Sequence, residues 1–323
     1  MKVQEVQLAR RPDGAPRAED FRVTDVTLPA PGVGEVLVRN ALMSVDPYVR
    51  LTLDAALPLN RRLGGGGVGA VLASRDPRFR EGDVVRHRQG FAEAFVAAGA
   101  ALEPFPAEDG ISREAQLGAL GGIGMCAYGG LISAGRMKAG DTVFISSAAG
   151  AVGSIAVQVA KLKGARVVAS AGSDAKCDWV RSLGADATIN YRTMPIRAGL
   201  AAAAPEGVDV YFENVGGAHL EAALACMKPY GHIAVCGMIS TYHDGGEKVG
   251  GLETIVVKRL TVRGFGFTDF PELDASFRNE MTAWLRSGAI RTHAAVLEGI
   301  GAAPQAFADL FQGRHMGRIL VRL

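Results

Sequence analysis

The hydrophobic pattern changes character part of the way along the chain. From the N-terminus to about residue 115, short alternating runs such as 36–39 and 83–86 lie between turns that carry Pro and Gly, and this predicts an antiparallel β-rich unit. From about residue 120 to 285, an apolar strand followed by an amphipathic helix recurs several times, which predicts a parallel sheet covered by helices. The predicted fold class is therefore α/β, with two architectures in one chain.

The C-terminal segment has a helix-like run followed by a strand-like run at 318–323. We expect this segment to return to the first domain. The domain limits that follow are 1–120 together with 287–323 for the β-rich domain, and 121–286 for the domain that holds the parallel sheet.

Composition and charge narrow the class of partner. With 323 residues, of which 48% are hydrophobic and 21% charged, the chain is not a disordered one. A formal net charge of +2 provides no basic surface for nucleic acid or for an acidic membrane, so we expect a small-molecule partner. Two uncharged stretches, 115–135 and 142–160, are interrupted by several glycines and are not interpreted as membrane spans. The polar N-terminal segment lacks an apolar signal core, which predicts a cytoplasmic protein.

Cysteines and histidines give no sign of a metal site. Cys126, Cys177, Cys226 and Cys236 form no CxxC pair and no Cys/His cluster, so the sequence predicts neither a bound metal nor a disulfide framework. A reducing compartment fits this usage. The six histidines include no pair at helical spacing, and we interpret them, His243 among them, as surface or packing residues.

The strongest motif is a strand, a turn of small residues and a helix. A strand of the buried type at 141–146 leads into Ser147-Ala-Ala-Gly150-Ala-Val-Gly153-Ser154 and then into a helix. Such a unit directs unpaired backbone N–H groups and a helix N-terminus toward a pyrophosphate. Gly150 lets the backbone approach the phosphates, and Gly153 lets the helix pack on the strand. Because Ala148 replaces the first glycine of GxGxxG, a tight turn without a ligand is the alternative.

The end of the next predicted strand, 166–171, bears on the choice of nucleotide. An acidic residue about 20 positions after the glycine turn would bind the ribose hydroxyls of NAD. Here Ser173 is a predicted helix N-cap, and Lys176 lies in the first helical turn. A hydroxyl, a helix N-terminus and a lysine suit a phosphate dianion, so the sequence favours NADP. Asp174 is the argument for NAD.

Four runs of residues carry a family resemblance. They are 43–50 (MSVDPYVR), 148–154 with 173–176, 211–217 (YFENVGG) and 236–242 (CGMISTY). Together they resemble the medium-chain dehydrogenase/reductase superfamily, and within it the zinc-free branch of prostaglandin reductases and NADP-dependent alkenal double-bond reductases. The resemblance implies a GroES-like β-rich barrel domain and a Rossmann domain with a doubly wound parallel sheet. Zinc-dependent members carry a Cys ligand and a Gly-His-Glu motif where this chain has the glycine-rich run 64–70, which implies no metal.

The resemblance also implies a set of cofactor contacts. They are Gly150, Ala151, Val152 and Gly153 at the pyrophosphate, Lys176 and Tyr191, together with Ser173, at the 2′-phosphate, Asn214 at a strand end, Cys236, Gly237, Met238, Ile239, Ser240, Thr241 and Tyr242 near the nicotinamide ribose, and Phe265, Gly266 and Phe267 along the nicotinamide. Two departures from the family pattern stand out. His315 occupies the place of a cofactor-contacting Asn and is the candidate for that contact, and Gly122 and Cys126 stand where the family has Met and Thr.

The implied reaction is reduction of the carbon–carbon double bond in α,β-unsaturated aldehydes and ketones. Hydride reaches the β-carbon and negative charge develops on the carbonyl oxygen, so catalysis needs orientation and a hydrogen-bond donor at that oxygen. Tyr242 is the first candidate, donating to the enolate or supporting a ribose hydroxyl that does so, and Tyr48 is the second. An NADPH-dependent quinone reductase and an NADPH-binding sensor or structural protein are the alternatives. A homodimer, paired through the strand around 258–267, is also implied.

Overall fold

The computed structural model describes residues 1–53, 57–242 and 248–323. His243, interpreted from the sequence as a surface or packing residue, lies outside the described residues. In the described part of the chain, no helix combines the length and the apolar character needed to cross a membrane.

The chain divides into two compact units. One comprises Met1–Asp109 and Ala294–Leu323, and the other comprises Gly110–His293. The domain limits proposed from the sequence stay a prediction.

The first unit begins with a series of strands. They are β1 (Lys2–Leu8), β2 (Phe21–Thr27), β3 (Glu35–Val45), β4 (Gly67–Ser74), β5 (Val84–His87), β6 (Ala94–Ala98) and β7 (Glu103–Pro104). β1 and β2 form an antiparallel pair, and β3 pairs antiparallel with both β4 and β6. Val36 and Val38 on β3 are fully buried while Arg39 is exposed, as expected for a strand with one face in the core. The predicted antiparallel β-rich unit is confirmed.

The second unit alternates helices and strands. The elements are α1 (Arg113–Gly118), α2 (Gly122–Gly129), β8 (Thr142–Ile145), α3 (Ala151–Leu162), β9 (Arg166–Ala171), α4 (Asp174–Ser182), β10 (Ala187–Asn190), α5 (Ile196–Ala203), β11 (Val208–Glu213), α6 (Gly217–Cys226), β12 (Met227–Val235), α7 (Glu253–Lys258), β13 (Thr261–Gly264) and α8 (Asp274–Ser287). A π-helical turn, Gly130–Ala134, continues α2.

The strands of the second unit form a parallel sheet. Its order is β10-β9-β8-β11-β12-β13, and every neighbouring pair is parallel. Helices on both faces bury the central strands, so Val143, Phe144 and Ile145 of β8 are fully buried. The chain order reverses between β8 and β11, and in open sheets of this kind ligands bind beyond the carboxyl ends of the strands at such a reversal. The predicted doubly wound parallel sheet is confirmed.

The chain ends with β14 (Ala294–Glu298), α9 (Ala303–Phe311) and β15 (Arg318–Arg322). β15 pairs parallel with β14 and antiparallel with β3. The C-terminal segment therefore returns to the first unit, as its strand-like end predicts. This pairing also places Arg318 opposite the end of β3.

Candidate functional site

The turn between β8 and α3 has the form of a phosphate cradle. Gly150 is the N-cap of α3 with an extended backbone (φ −86°, ψ −179°) and offers no side chain to cap the first N–H groups of the helix. A Cβ on Gly153 would lie 2.4 Å from the carbonyl oxygen of Ser147, so only glycine lets α3 start this close to the turn. The turn lies at the reversal between β8 and β11. A helix N-terminus that no side chain caps, at this place, fits a pyrophosphate.

A hydrogen-bond network ties this turn to the end of β11. The side-chain amide of Asn214 donates to the carbonyl oxygen of Ser146 (2.7 Å), and the Ser146 hydroxyl accepts from the Asn214 N–H (2.9 Å). The same hydroxyl donates to Oε1 of Glu213 (3.1 Å), and the Val215 N–H donates to that oxygen (2.6 Å). Glu213 is fully buried, and burial raises the pKa of its carboxyl group. Asn214 is thus held at the end of β11 from both sides.

Sequence reasoning did not assign a role to Glu213 or Ser146. The available signal was a carboxylate that directly follows the run 210–212 in the strand VDVYFE, because a buried charge needs several hydrogen bonds to persist. One partner of that carboxylate, Ser146, follows β8 and is distant in sequence, so the part that Glu213 plays in holding the end of β11 becomes visible only in the fold.

The ends of β9 and β10 bring together the residues predicted for a 2′-phosphate. The Ser173 hydroxyl accepts from the Lys176 N–H (3.3 Å), which confirms Ser173 as the N-cap of α4. A Cβ on Gly172 would lie 2.7 Å from the Tyr191 hydroxyl and 3.4 Å from Nε of Arg192. Burial lowers the pKa of Lys176, and the nearby charge of Arg192 lowers it further. Two cations and two hydroxyls around a helix N-terminus fit a phosphate dianion.

Asp174 has a partner of its own at this end of the sheet. The Asn190 side-chain amide donates to Oδ1 of Asp174 (2.8 Å), which joins the first turn of α4 to the end of β10. The Tyr191 ring lies edge-on against the buried His219 ring, with 5.1 Å between the ring centroids. These contacts hold the segment that carries Tyr191 against α4 and α6.

The segment after β12 follows the end of β11 closely. The N–H groups of Cys236 and Gly237 donate to the carbonyl oxygen of Glu213 (2.9 and 3.2 Å), and the Ser240 N–H donates to that of Val215 (2.9 Å). The buried Ser240 hydroxyl oxygen has no hydrogen-bond partner within the described part of the chain. A buried hydroxyl without a partner is suited to form a hydrogen bond with a bound ligand.

The Tyr242 side chain turns back toward the loop that carries it. Its hydroxyl oxygen accepts from the Met238 N–H (3.4 Å). Burial raises the pKa of Tyr242, while the Met238 N–H opposes that shift. The phenol therefore keeps its proton at neutral pH and can donate a hydrogen bond to an oxygen atom.

The residues after β13 differ in part from expectation. The strand ends at Gly264, and a 3₁₀ turn covers Phe267–Asp269, so the expected strand along the nicotinamide does not extend through Phe267. Phe265 packs on Phe212 and Phe270, with ring centroids 6.0 and 5.4 Å away. The chain leaves the strand here because the Asp269 carboxylate accepts from the Gly266 N–H (2.9 Å) and closes a turn.

Tyr48 belongs to the first unit and has charged side chains near it. It forms a hydrogen bond with the backbone of Gly66, and burial and the charge of Asp46 raise its pKa. The Ser44 hydroxyl donates to Asp46 (2.5 Å) and accepts from Nη2 of the buried Arg318 (2.8 Å). Sequence reasoning did not identify this arrangement of Arg318, Ser44 and Asp46, which supports the turn that carries Tyr48.

His315 also lies in the first unit. Its Nε2 is 3.4 Å from Oδ2 of Asp309, and the Arg314 guanidinium donates to the other carboxylate oxygen (3.0 Å). Its predicted cofactor contact stays a prediction. Among the residues that the structure describes, no three His, Cys, Asp or Glu side chains form a group that can hold a metal ion.

Comparisons with known proteins match nearly the whole chain. Residues 4–105 match a family model described as the N-terminal domain of oxidoreductase, and residues 151–286 match one described as zinc-binding dehydrogenase. Prostaglandin reductase 1 of Bos taurus is 37% identical over 96% of this chain and 95% of its own. The NADP(+)-dependent 2-alkenal reductase of Nicotiana tabacum is 36% identical over 95% of this chain and 94% of its own. The crystal structure of CurA from Vibrio vulnificus in complex with NADPH superposes with a TM-score of 0.92, at 32% identity, and covers 99% of this chain and 98% of that one.

Proposed function

Because the chain belongs to the medium-chain dehydrogenase/reductase superfamily, in the zinc-free group of prostaglandin reductases and NADP-dependent alkenal reductases, we propose that it reduces the carbon–carbon double bond of α,β-unsaturated aldehydes and ketones with NADPH. The observation that carries the choice of cofactor is the set around the N-terminus of α4. Lys176, Ser173 and Tyr191 lie there together with Arg192, and such a set favours a 2′-phosphate over a free ribose hydroxyl.

The remaining predicted contacts are proposed on the same basis. Gly150, Ala151, Val152 and Gly153 would hold the pyrophosphate, and Asn214 with the segment 236–242 would hold the nicotinamide ribose. When bound, the reduced nicotinamide would supply a hydride, that is, a proton with two electrons, to the β-carbon of the substrate. The proposed contacts of Phe265, Gly266, Phe267 and His315 rest on the family pattern alone.

In this proposal the protein stabilises the charge that develops on the substrate oxygen. Tyr242 keeps its proton at neutral pH because burial raises its pKa. Its oxygen accepts from the Met238 N–H, which directs the hydroxyl hydrogen toward another acceptor. Tyr242 then donates to the enolate oxygen or to the ribose hydroxyl that contacts it. Tyr48 is the second proposed donor, because Gly66 and the Asp46 turn support it in a similar way.

The assay that tests the activity is the loss of NADPH absorbance with a panel of alkenals, cyclic and linear enones and quinones, with NADH in parallel. We expect alkenals or enones to be reduced with NADPH and scarcely with NADH. Reaction of quinones alone would replace the proposal with quinone reduction. Binding of NADPH without turnover of any compound would favour a sensor or structural role.

The tyrosine roles have a separate test. Tyr242→Phe removes only the hydroxyl, so we expect a kcat lower by about 10²-fold or more, with little change in NADPH affinity measured by fluorescence titration. Tyr230→Phe is the matched control, because Tyr230 is a 65% exposed tyrosine outside the proposed site. Wild-type turnover in Tyr242→Phe would remove Tyr242 from the mechanism. The same comparison with Tyr48→Phe tests the second donor.

We also propose a homodimer. β13 forms one edge of the parallel sheet and is exposed along its length. Val256 and Val257 on α7 are 79% and 69% exposed. Two adjacent valines are seldom this exposed on the surface of a monomer, which supports an interface at this place. Size-exclusion chromatography with light scattering is expected to give twice the chain mass, and a monomer would count against pairing through β13.

A cytoplasmic location is proposed as well. All four cysteines are free thiols, as suits a reducing compartment. Fractionation of cells that express the tagged protein would test this, and recovery outside the cytoplasm would contradict it.

A further inference from the structure

The side chain of Tyr191 is held from two sides. Its hydroxyl lies over the backbone that follows β9, since a Cβ added to Gly172 would come within 2.7 Å of that oxygen. The ring of His219 approaches the Tyr191 ring edge-on, with 5.1 Å between the ring centroids and 79° between the ring planes. The Tyr191 N–H donates to the carbonyl oxygen of Ala171 (3.2 Å), which fixes the backbone at this place. Tyr191 nevertheless stays 40% exposed, so part of it is open to a ligand.

His219 is a firmly placed partner for this ring. It is buried in the first turn of α6, where its N–H donates to the carbonyl oxygen of Gly216 (3.1 Å). The turn that leads into α6 has a positive φ at Gly216 and Gly217 (81° and 49°), a conformation that favours glycine. The Val215 N–H, directly before this turn, donates to the buried Glu213 carboxylate (2.6 Å). The backbone that carries His219 is therefore anchored to the end of β11.

The contact between His219 and Tyr191 is one of packing and not of charge. Burial lowers the pKa of His219 to about 4, so the imidazole is neutral at pH 7. Its Nε2 has no hydrogen-bond partner within the described part of the chain. The positive charges near Tyr191 belong to Lys176 and Arg192. The His219 ring thus acts on its neighbour by restricting where the Tyr191 ring can lie.

We propose that His219 is a positioning residue, which holds the Tyr191 ring where it contacts a 2′-phosphate and so raises the preference for NADPH over NADH. The inference rests on the proposed function, because it takes the N-terminus of α4 as the site of that phosphate. A side chain that is already fixed loses less entropy when a ligand binds, and ordering a mobile one weakens affinity by about 2- to 10-fold. NADH has no 2′-phosphate, so this contribution concerns NADPH alone.

The affinities for the two nucleotides measure this contribution. Fluorescence titration of the full-length protein gives the Kd for NADPH and the Kd for NADH, and a loosening of contacts that both nucleotides share cancels in their ratio. His219→Ala is expected to raise the Kd for NADPH by about 3- to 10-fold and to leave the Kd for NADH nearly unchanged. His219→Phe keeps a flat ring at the same place and is expected to retain the wild-type ratio.

A double-variant comparison shows whether the effect passes through Tyr191. In a Tyr191→Ala background, His219→Ala should change the ratio of the two Kd values no further. His87→Ala is the matched control, because the buried His87 ring also lies edge-on to an aromatic ring, that of Phe95, with 4.6 Å between the centroids, but in the first unit. It is expected to lower stability and to keep the wild-type ratio.

Three results would overturn the proposal. The first is a wild-type ratio in His219→Ala while Lys176→Met weakens NADPH binding selectively, which would leave the proposed cofactor intact. The second is an equal effect of His219→Ala with and without the Tyr191 side chain. The third is equal affinity of the wild type for NADPH and NADH, which would overturn the proposed cofactor as well. If His219→Ala does not fold, His219→Leu, which fills the space without a ring, takes its place and the same outcomes apply.

Discussion

Replacing Gly153 with alanine tests the geometry on which the nucleotide site depends. The new Cβ would lie 2.4 Å from the Ser147 carbonyl oxygen and 2.8 Å from Cα of Ala148, whereas ordinary contacts begin near 3.4 Å. Both obstructing atoms are backbone, so α3 and the turn must separate by roughly 1 Å, the difference between these distances. Overpacking of this kind costs about 1–3 kcal/mol. Alanine regains up to about 1 kcal/mol through its better helix propensity.

The net expectation for Gly153→Ala is a loss of up to about 2 kcal/mol in the free energy of unfolding, because the full helix-propensity gain is subtracted from the overpacking cost. Urea denaturation followed by circular dichroism measures it, and fluorescence titration should show weaker NADPH binding because the cradle opens. Gly301→Ala is the matched control, since a Cβ at Gly301 meets no atom within 4 Å. If Gly153→Ala unfolds at the wild-type urea concentration and binds NADPH as tightly, the close approach of α3 to the turn is wrong.

Three further outcomes follow from the described contacts. Lys176→Met should weaken NADPH binding by about 10- to 100-fold, because a charged hydrogen bond to phosphate contributes about 1.5–3 kcal/mol. NADH binding should stay nearly unchanged. Equal losses of affinity for both nucleotides in calorimetry would contradict this. Burial lowers the pKa of His219 to about 4, so below its unfolded value near 6.5 the unfolded state takes up a proton that the folded state does not. His219 should therefore contribute a fall of about 2 kcal/mol in stability between pH 7 and pH 5, and His219→Leu should reduce the measured fall by that amount in urea denaturation. Val257→Lys places a charge on the exposed face of α7 and should shift the chain toward a monomer in light scattering; an unchanged dimer would place the interface elsewhere.

Features encoded within one short segment were predictable. The strand, turn and helix around Gly150 and Gly153 depend on residues only a few positions apart, and the Ser173 cap depends on a bond to Lys176 in the same turn. The parallel pairing of the strands in the sheet follows from the repeated strand–helix pattern. Such local signals can be recognised in a single sequence because local preferences and tertiary packing favour the same structure.

Contacts between distant segments were not predictable from this one sequence. Glu213 with Ser146 and Arg318 with Ser44 each join elements that only the fold brings together. Such a residue looks ordinary in its own segment, because its role depends on a partner whose position follows from sheet order and helix packing.

The choice between NADP and NAD depends both on residues within one short segment and on contacts between distant segments. Asp174 and Lys176 are two residues apart, and the sequence alone favours NADP through Lys176 while Asp174 stays the argument for NAD. In the fold Asp174 accepts from the Asn190 side chain, so part of its hydrogen-bonding capacity serves the link between α4 and β10. Arg192, from the segment after β10, adds a second positive charge near Lys176. A carboxylate engaged with an amide and two clustered cations together favour a phosphate dianion, and the deciding residues, Asn190 and Arg192, come from a strand end that the helix sequence does not contain.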